Sequence, residues 1–154
     1  MPFSAGLVPV RRSAHGLEIF LVHMAGPYWA HKDHGAWSIA KGEYDPTTED
    51  ARAVAAREFQ EEVGRPAPGG EWLDAGETRM PSGKRVRAFV VETDEELAFV
   101  SSNLFDMEWP PHSGRMQQFP ETDDAQWFTI EVAQVKIVSG QRPILEAVSR
   151  VIDL

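Results

Sequence analysis

The chain has 154 residues, 42% hydrophobic and 25% charged, an ordinary globular composition at a length that suits one domain with a real core. It contains no cysteine, which excludes disulfides, thiolate zinc sites and cysteine nucleophiles. A formal net charge of −9 argues against binding long nucleic acid through its phosphates, which needs a basic face, but leaves room for a small phosphorylated substrate.

No apolar run approaches about 18 residues, and the opening MPFSAGLVPVRRS lacks a signal-peptide pattern, so the expectation is a cytoplasmic protein that spans no membrane. Residues 5–12 and 17–24 read as two strands joined by a turn at Ser13-Ala14-His15-Gly16. The second is almost continuously apolar and is expected centrally in a sheet. Residues 25–36 form a loop rich in aromatics and histidine, and Trp37–Gly42 is a short strand leading out of it.

A helix is expected next. Ala51, Val54, Ala55 and Phe59 recur at helical spacing as a small-residue stripe to bury. Thr47 or Thr48 is the expected N-cap, with Asp50 reaching back, and Glu49 and Asp50 then lie in a first turn that favours negative charge. Gly64 supplies a left-handed stop and Pro66 prevents resumption. Residues 65–71 are linker; strands near 72–79 and 84–93 follow, joined by a Pro81-Ser82-Gly83 turn. Residues 94–125 read as a long irregular stretch, which is usually functional or conceals a short element. A strand over 125–128, a helix near 130–138 ended by Gly140, and a last helix from Pro143 complete the chain.

The chemistry concentrates on the first helix. Glu58, Glu61 and Glu62 are three and four residues apart, so their carboxylates emerge on one side within about a turn. Like charges so placed repel by a few tenths of a kcal/mol per pair. A divalent cation converts that repulsion into attraction, and Mg²⁺ prefers carboxylate oxygens and commonly brings phosphate with it. The plain alternative is a solvated acidic face, which does not require the glycine-containing loop before the helix or the glycine directly after the last carboxylate.

The segment from Gly42 to Gly64, GEYDPTTEDARAVAAREFQEEVG, resembles the signature of the Nudix hydrolases, G-x5-E-x7-R-E-U-x-E-E-x-G-U with U apolar. Gly42, Glu49, Arg57, Glu58, Phe59, Glu61, Glu62 and Gly64 fit it, with six rather than five residues between Gly42 and Glu49 and with Arg65 in the last apolar place. The resemblance is firm over 37–65. It implies an α/β (α+β) fold with a mixed sheet between helices across 1–154, and Mg²⁺- or Mn²⁺-dependent hydrolysis of a diphosphate bond in a nucleoside diphosphate linked to another moiety.

By that resemblance the metal ligands are the Gly42 carbonyl, Glu58, Glu61 and Glu62, with Glu121 an additional candidate from the loop before Trp127 and Asp123 and Asp124 weaker ones. Arg57, Glu58 and Glu61 are the catalytic candidates, Arg57 orienting a carboxylate such as Glu61 and one of the glutamates accepting a proton from water. Glu49 caps the helix or supports a ligand. For the substrate, Lys41 is the best-placed cation and Arg87 a further one, while Arg79, Arg85 and Arg115 are more ordinarily solvated. Tyr28 and Trp29 offer faces for a base to stack on, and His31 and His34 lie nearby in sequence. The run Trp37-x-x-x-Lys41-Gly42 resembles one found in dinucleoside tetraphosphate hydrolases, with Ala40 in place of a proline. It favours a nucleoside triphosphate or dinucleoside polyphosphate, and Pro81 is a weaker pointer to ADP-ribose. The alternative is an inactive Nudix-fold module that senses a nucleotide or binds a protein. A homodimer is an expectation by analogy only.

Overall fold

A computed structural model describes residues 2–153. The strands are β1 (Phe3–Ser13), β2 (Gly16–Met24), β3 (Trp37–Ser38), β4 (Ala40–Tyr44), β5 (Trp72–Arg79), β6 (Arg85–Glu92), β7 (Leu104–Glu108), β8 (Met116–Pro120) and β9 (Thr122–Thr129). The helices are α1 (Ala51–Val63), α2 (Ile130–Lys136) and α3 (Arg142–Ile152), with a 3-10 turn at Ser139–Gln141. Seven strands form one mixed sheet in the order β3-β2-β1-β6-β5, with β4 also on β1 and β9 also on β2; β7 and β8 pair separately. The mixture is set at β1, which runs antiparallel to β2 and β4 and parallel to β6.

Period-two alternation divides the apolar residues of the sheet between two faces. On one, Val8, Val10, Ile19, Leu21, Val86, Ala88 and Val90 pack against Ala133 of α2 and Ile144, Leu145 and Val148 of α3. On the other, Ala5, Leu7, Phe20, Val22, Phe89 and Val91 pack against Val54, Ala55, Phe59 and Val63 of α1. The expected stripe of α1 is therefore its buried face. Phe59 is fully buried and lies 6.2 Å from the Phe20 ring. Among the described residues no helix is long and apolar enough to cross a membrane.

Three sequence expectations are corrected. The N-cap of α1 is Asp50, whose extended backbone (φ −85°, ψ 124°) lets its carboxylate accept from the Ala53 N–H at 3.0 Å. Thr47 is unavailable as a cap because both its N–H and its hydroxyl donate to Asp45, at 2.9 and 2.6 Å. Glu49 and Asp50 consequently precede the helix, and its first turn holds no acid. The stretch 94–125 is not irregular throughout: it contains the β7–β8 hairpin and the start of β9. The hairpin escaped reading because its strands lie off the main sheet and seven of their ten residues are exposed. By contrast, Gly64 ends α1 as expected, at φ 88°, its N–H reaching the Gln60 carbonyl at 2.9 Å.

Candidate functional site

The loop before α1 is held by its own side chains. Asp45 accepts from Thr47, which keeps its carboxyl below the usual range, and the Asp45 N–H donates to Glu49 Oε1 at 2.9 Å. The other Glu49 oxygen accepts from Arg57 Nη1 at 3.4 Å, and Arg57 Nη2 stands 3.6 Å from Glu58 Oε1. Arg57 thus braces Glu49 and Glu58, where the sequence suggested Glu61.

The Glu58 carboxylate lies directly over the Cα of Gly42, so close that any Cβ at 42 would overlap it. Glycine in the middle of β4 leaves room for that carboxylate, and a Cβ there would force the Glu58 side chain to move. One turn on, Glu62 Oε2 accepts the Lys41 N–H at 3.1 Å. Two glutamates of the helix are therefore set against two consecutive residues of one strand.

The other side of the site comes from the far end of the chain. The Glu61 carbonyl accepts the Asn103 N–H at 3.0 Å, the Asn103 carbonyl accepts the Glu121 N–H at 2.9 Å, and the Glu121 carbonyl accepts the Ala25 N–H at 3.2 Å. The Thr122 hydroxyl donates to the Glu62 carbonyl. This relay of backbone bonds carries Glu121 to the helix.

The four carboxylates feel one another. Burial, then the charge of Glu58, raises the Glu62 carboxyl well above its usual value, against the opposing pull of Lys41. Burial and then Glu61 raise Glu58, with Arg57 opposing. Burial and then Glu61 raise Glu121. Desolvated like charges of this kind favour proton uptake or a bound cation.

The donor set suits a hard divalent ion, since every donor is an oxygen and the charge is in excess. Among the described residues, no three acidic or imidazole side chains already converge on a single ion position. That is compatible with Mg²⁺, which typically takes one or two carboxylates and fills its sphere with water and substrate phosphate.

The expected substrate residues are dispersed. Lys41 and Ile39 share one side of the strand by alternation, opposite Gly42, so the Lys41 side chain leaves the sheet away from Glu58. Burial, then repulsion from Lys84, lowers its ammonium. Arg87 pairs with Asp74 at 2.8 Å and Arg85 with Glu77 at 3.1 Å. Asp123 holds His23 Nδ1 at 2.6 Å and Asp124 accepts from Ala125 and Gln126, so neither is part of the carboxylate group. His31 and His34 are exposed.

Tyr28 and Trp29 do meet the hairpin. With Ala25, Gly26, Pro27, Phe105 and Met107 they line a cavity of about 150 Å³, and Tyr28 stacks edge-on against Trp109 at 5.2 Å. A larger open groove of about 480 Å³ is lined by Arg57, Gln60, Glu61, Gly64, Ser101 and Asn103. Sequence reading missed Ser101, Asn103 and Thr122, since nothing local marks residues in an irregular stretch as neighbours of α1.

The NUDIX domain profile matches residues 2–148. A search of curated proteins finds no match. Among solved structures, the chain is similar to an Ap4A hydrolase of C. elegans in a binary complex, at 21% identity and TM-score 0.61, covering 99% of this chain and 98% of that one. It is similar to the NUDIX domain of Shewanella oneidensis NrtR complexed with ADP ribose, at 13% identity and TM-score 0.61, over 96% and 86%. It is also similar to a mutT/nudix family protein of Listeria innocua, at 14% identity and TM-score 0.57, over 99% and 94%. At these identities the structural likeness speaks for the fold alone.

Proposed function

The chain belongs to the NUDIX family of pyrophosphohydrolases, and from that premise we propose that it hydrolyses a diphosphate bond in a nucleoside diphosphate linked to a further moiety, with Mg²⁺ or Mn²⁺ held at the α1–β4 edge. The observation that carries this reading is a group of acids that the fold brings together, Glu58 against Gly42, Glu62 on the Lys41 N–H and Glu121 tied to the helix through Asn103, where burial and mutual repulsion raise their carboxyls. A protein with no cation to bind gains nothing from that repulsion, which also disfavours a sensing module without turnover.

Glu58, Glu61, Glu62 and Glu121 would hold the ion, with the Gly42 carbonyl as a further oxygen. Bound there, the metal supplies neutralisation of phosphate charge and a more acidic water. Arg57 fixes Glu58 and ties it through Glu49 to the Asp45 turn. The Lys41 N–H holds the Glu62 carboxylate and a backbone bond ties Glu121 to Asn103, limiting how far the acids can drift apart. Water adds to one phosphorus as the bridging P–O bond breaks. The products are two phosphate monoesters when the bond joins two substituted phosphates, and Glu58 or Glu61 accepts the proton. The Trp37…Lys41-Gly42 run and the similarity to an Ap4A hydrolase support a triphosphate or dinucleoside polyphosphate substrate; the NrtR likeness supports an ADP-ribose type.

Release of nucleoside monophosphate from a panel of nucleotides, with and without Mg²⁺, tests the proposal. Turnover that requires the metal and is lost in Glu62→Gln is expected. Absence of turnover on every substrate, or a Glu62→Gln variant as active as wild type, would refute it.

A further inference from the structure

α1 ends where its acids are. The partial negative charge of a helix C-terminus falls on the last turn, and here that turn carries Glu61 and Glu62 with no basic residue beside them. The last four carbonyls of a helix lack partners within it, yet all four are met here. Gln60 accepts from the Gly64 N–H at 2.9 Å, Glu61 from Asn103 at 3.0 Å, and Val63 from Val100 and Ser101 at 2.8 and 3.2 Å. The Glu62 carbonyl takes the Thr122 hydroxyl. Gly64 permits this approach, since a Cβ there would run into the Ser101 backbone.

Among the described residues, Thr122 alone reaches these carbonyls with a side chain. It is 3% exposed and opens β9, directly after Glu121. Its N–H donates to the Ser102 hydroxyl at 3.1 Å, and that hydroxyl donates to the Asn103 carbonyl at 3.0 Å. The same carbonyl accepts the Glu121 N–H at 2.9 Å. Two hydroxyls thus lie at the junction of α1, the 100–103 segment and the start of β9. Behind burial and the neighbouring glutamate of the helix, the charge of Glu121 adds to the rise at both Glu58 and Glu62, so its carboxylate stands on the α1 side.

We infer that Thr122 is a positioning residue of the metal site: its hydroxyl on the Glu62 carbonyl holds the start of β9 to α1 and thereby sets the Glu121 carboxylate against Glu58, Glu61 and Glu62. The inference rests on the metal site proposed above and names what fixes the acid that comes from outside the helix. With its hydroxyl engaged at Glu62, Thr122 works through the acids rather than on the ion. The acids of α1 arrive as a set on one element, whereas Glu121 joins them only as far as β9 is held there.

Mn²⁺ titrated into the full chain without substrate, with the free ion read by electron paramagnetic resonance, gives a dissociation constant independent of turnover. Thr122→Val keeps the shape and removes the hydroxyl, and should weaken binding about tenfold, the low end for groups that orient metal ligands. Thr122→Ser keeps the hydroxyl and should stay within about twofold of wild type, as an orienting hydroxyl requires. In a Glu121→Gln background, Thr122→Val should change the constant by less than about twofold, since a residue that works through Glu121 has nothing left to place. Three results would each overturn the inference: Thr122→Val binding as tightly as wild type, Thr122→Ser as weak as Thr122→Val, or an equal loss with and without Glu121. If circular dichroism shows Thr122→Val unfolded, Ser102→Ala decides: about threefold weaker binding that vanishes with Glu121→Gln supports the inference, and unchanged binding overturns it. A wild type that binds no Mn²⁺ removes the metal site and the inference together, whereas one that binds Mn²⁺ but turns over no nucleotide removes only the hydrolase reading.

Discussion

The α1–β4 edge and the β7–β8 hairpin border the same carboxylates, and they are built in opposite ways. At the edge, Glu58 sits on Gly42, Glu62 takes the Lys41 N–H, and Phe59 and Val63 anchor the helix in a core with no solvent access. The hairpin is a two-stranded ribbon outside the main sheet, with Leu104 and Met116 more than half exposed. The residues that flank it, Asn103 and Glu121, reach α1 through a few backbone bonds. An ion demands donors that do not move. Glu58 and Glu62 meet that demand on the rigid side, and Glu121 is the acid that joins them from the loosely attached one.

That contrast breaks first at the acids themselves. Replacing Glu58 by Gln is expected to lower kcat by about 10²–10⁴, the range associated with a positioned proton-transfer group, while circular dichroism shows the fold retained. A loss under tenfold would remove Glu58 from the chemistry. Next comes packing. Phe59→Ala should cost about 3–5 kcal/mol in urea unfolding, whereas Phe105→Ala, half-buried on the ribbon, should cost under about 2. Equal costs would mean that the ribbon belongs to the cooperative core.

The same division governs what was legible in the sequence. The helix and its carboxylate edge followed from spacing alone, because Glu58, Glu61 and Glu62 are local to one element and Phe59 and Val54 fix which way it faces. β1 and β2 were legible because they are apolar runs. β9 was under-read, since its first residues, Thr122-Asp123-Asp124, are polar and are held by the Glu62 carbonyl, His23 and the Ala125 N–H respectively. For Lys41, adjacency to Gly42 carries no direction, because alternation sends neighbours on a strand to opposite faces. Asn103 had no sequence signal at all. Its role depends on two bonds to residues 42 before and 18 after it, and only tertiary structure supplies those.

Protonation offers a subtler probe of the rigid side. Glu58, Glu62 and Glu121 have folded values raised above the usual 4.5, so the folded state holds protons that the unfolded chain releases. Their contribution to stability is complete below about 4.5 and is lost as pH rises through the raised folded values. In chelator, the melting temperature should therefore decline as pH is raised from about 5 toward neutrality, against a loss at still lower pH from Asp45, whose value is depressed. Mg²⁺ should flatten the decline, and so should Glu62→Gln. A melting temperature that rises steadily to pH 8 in chelator would contradict the burial of like charges at this edge.

The smallest expected effect tests whether the loop before α1 matters to the acids beyond it. Asp50→Ala removes the cap at Ala53 and should cost about 1 kcal/mol. Gly64 still terminates the helix at its far end, and the Asp45–Glu49–Arg57 contacts still brace Glu58. Turnover should consequently fall by less than about threefold, because fraying at the first turn stops short of Glu58, two turns on. Glu49→Ala leaves the cap in place but releases Arg57 from one of its two carboxylates. Its cost in stability should be similar or smaller, since that pair is half exposed, yet its effect on kcat should be several times larger than that of Asp50→Ala. If the two variants instead lose activity in proportion to stability, the brace is only helix propensity, and the carboxylates owe their placement to Gly42 and the Lys41 N–H alone.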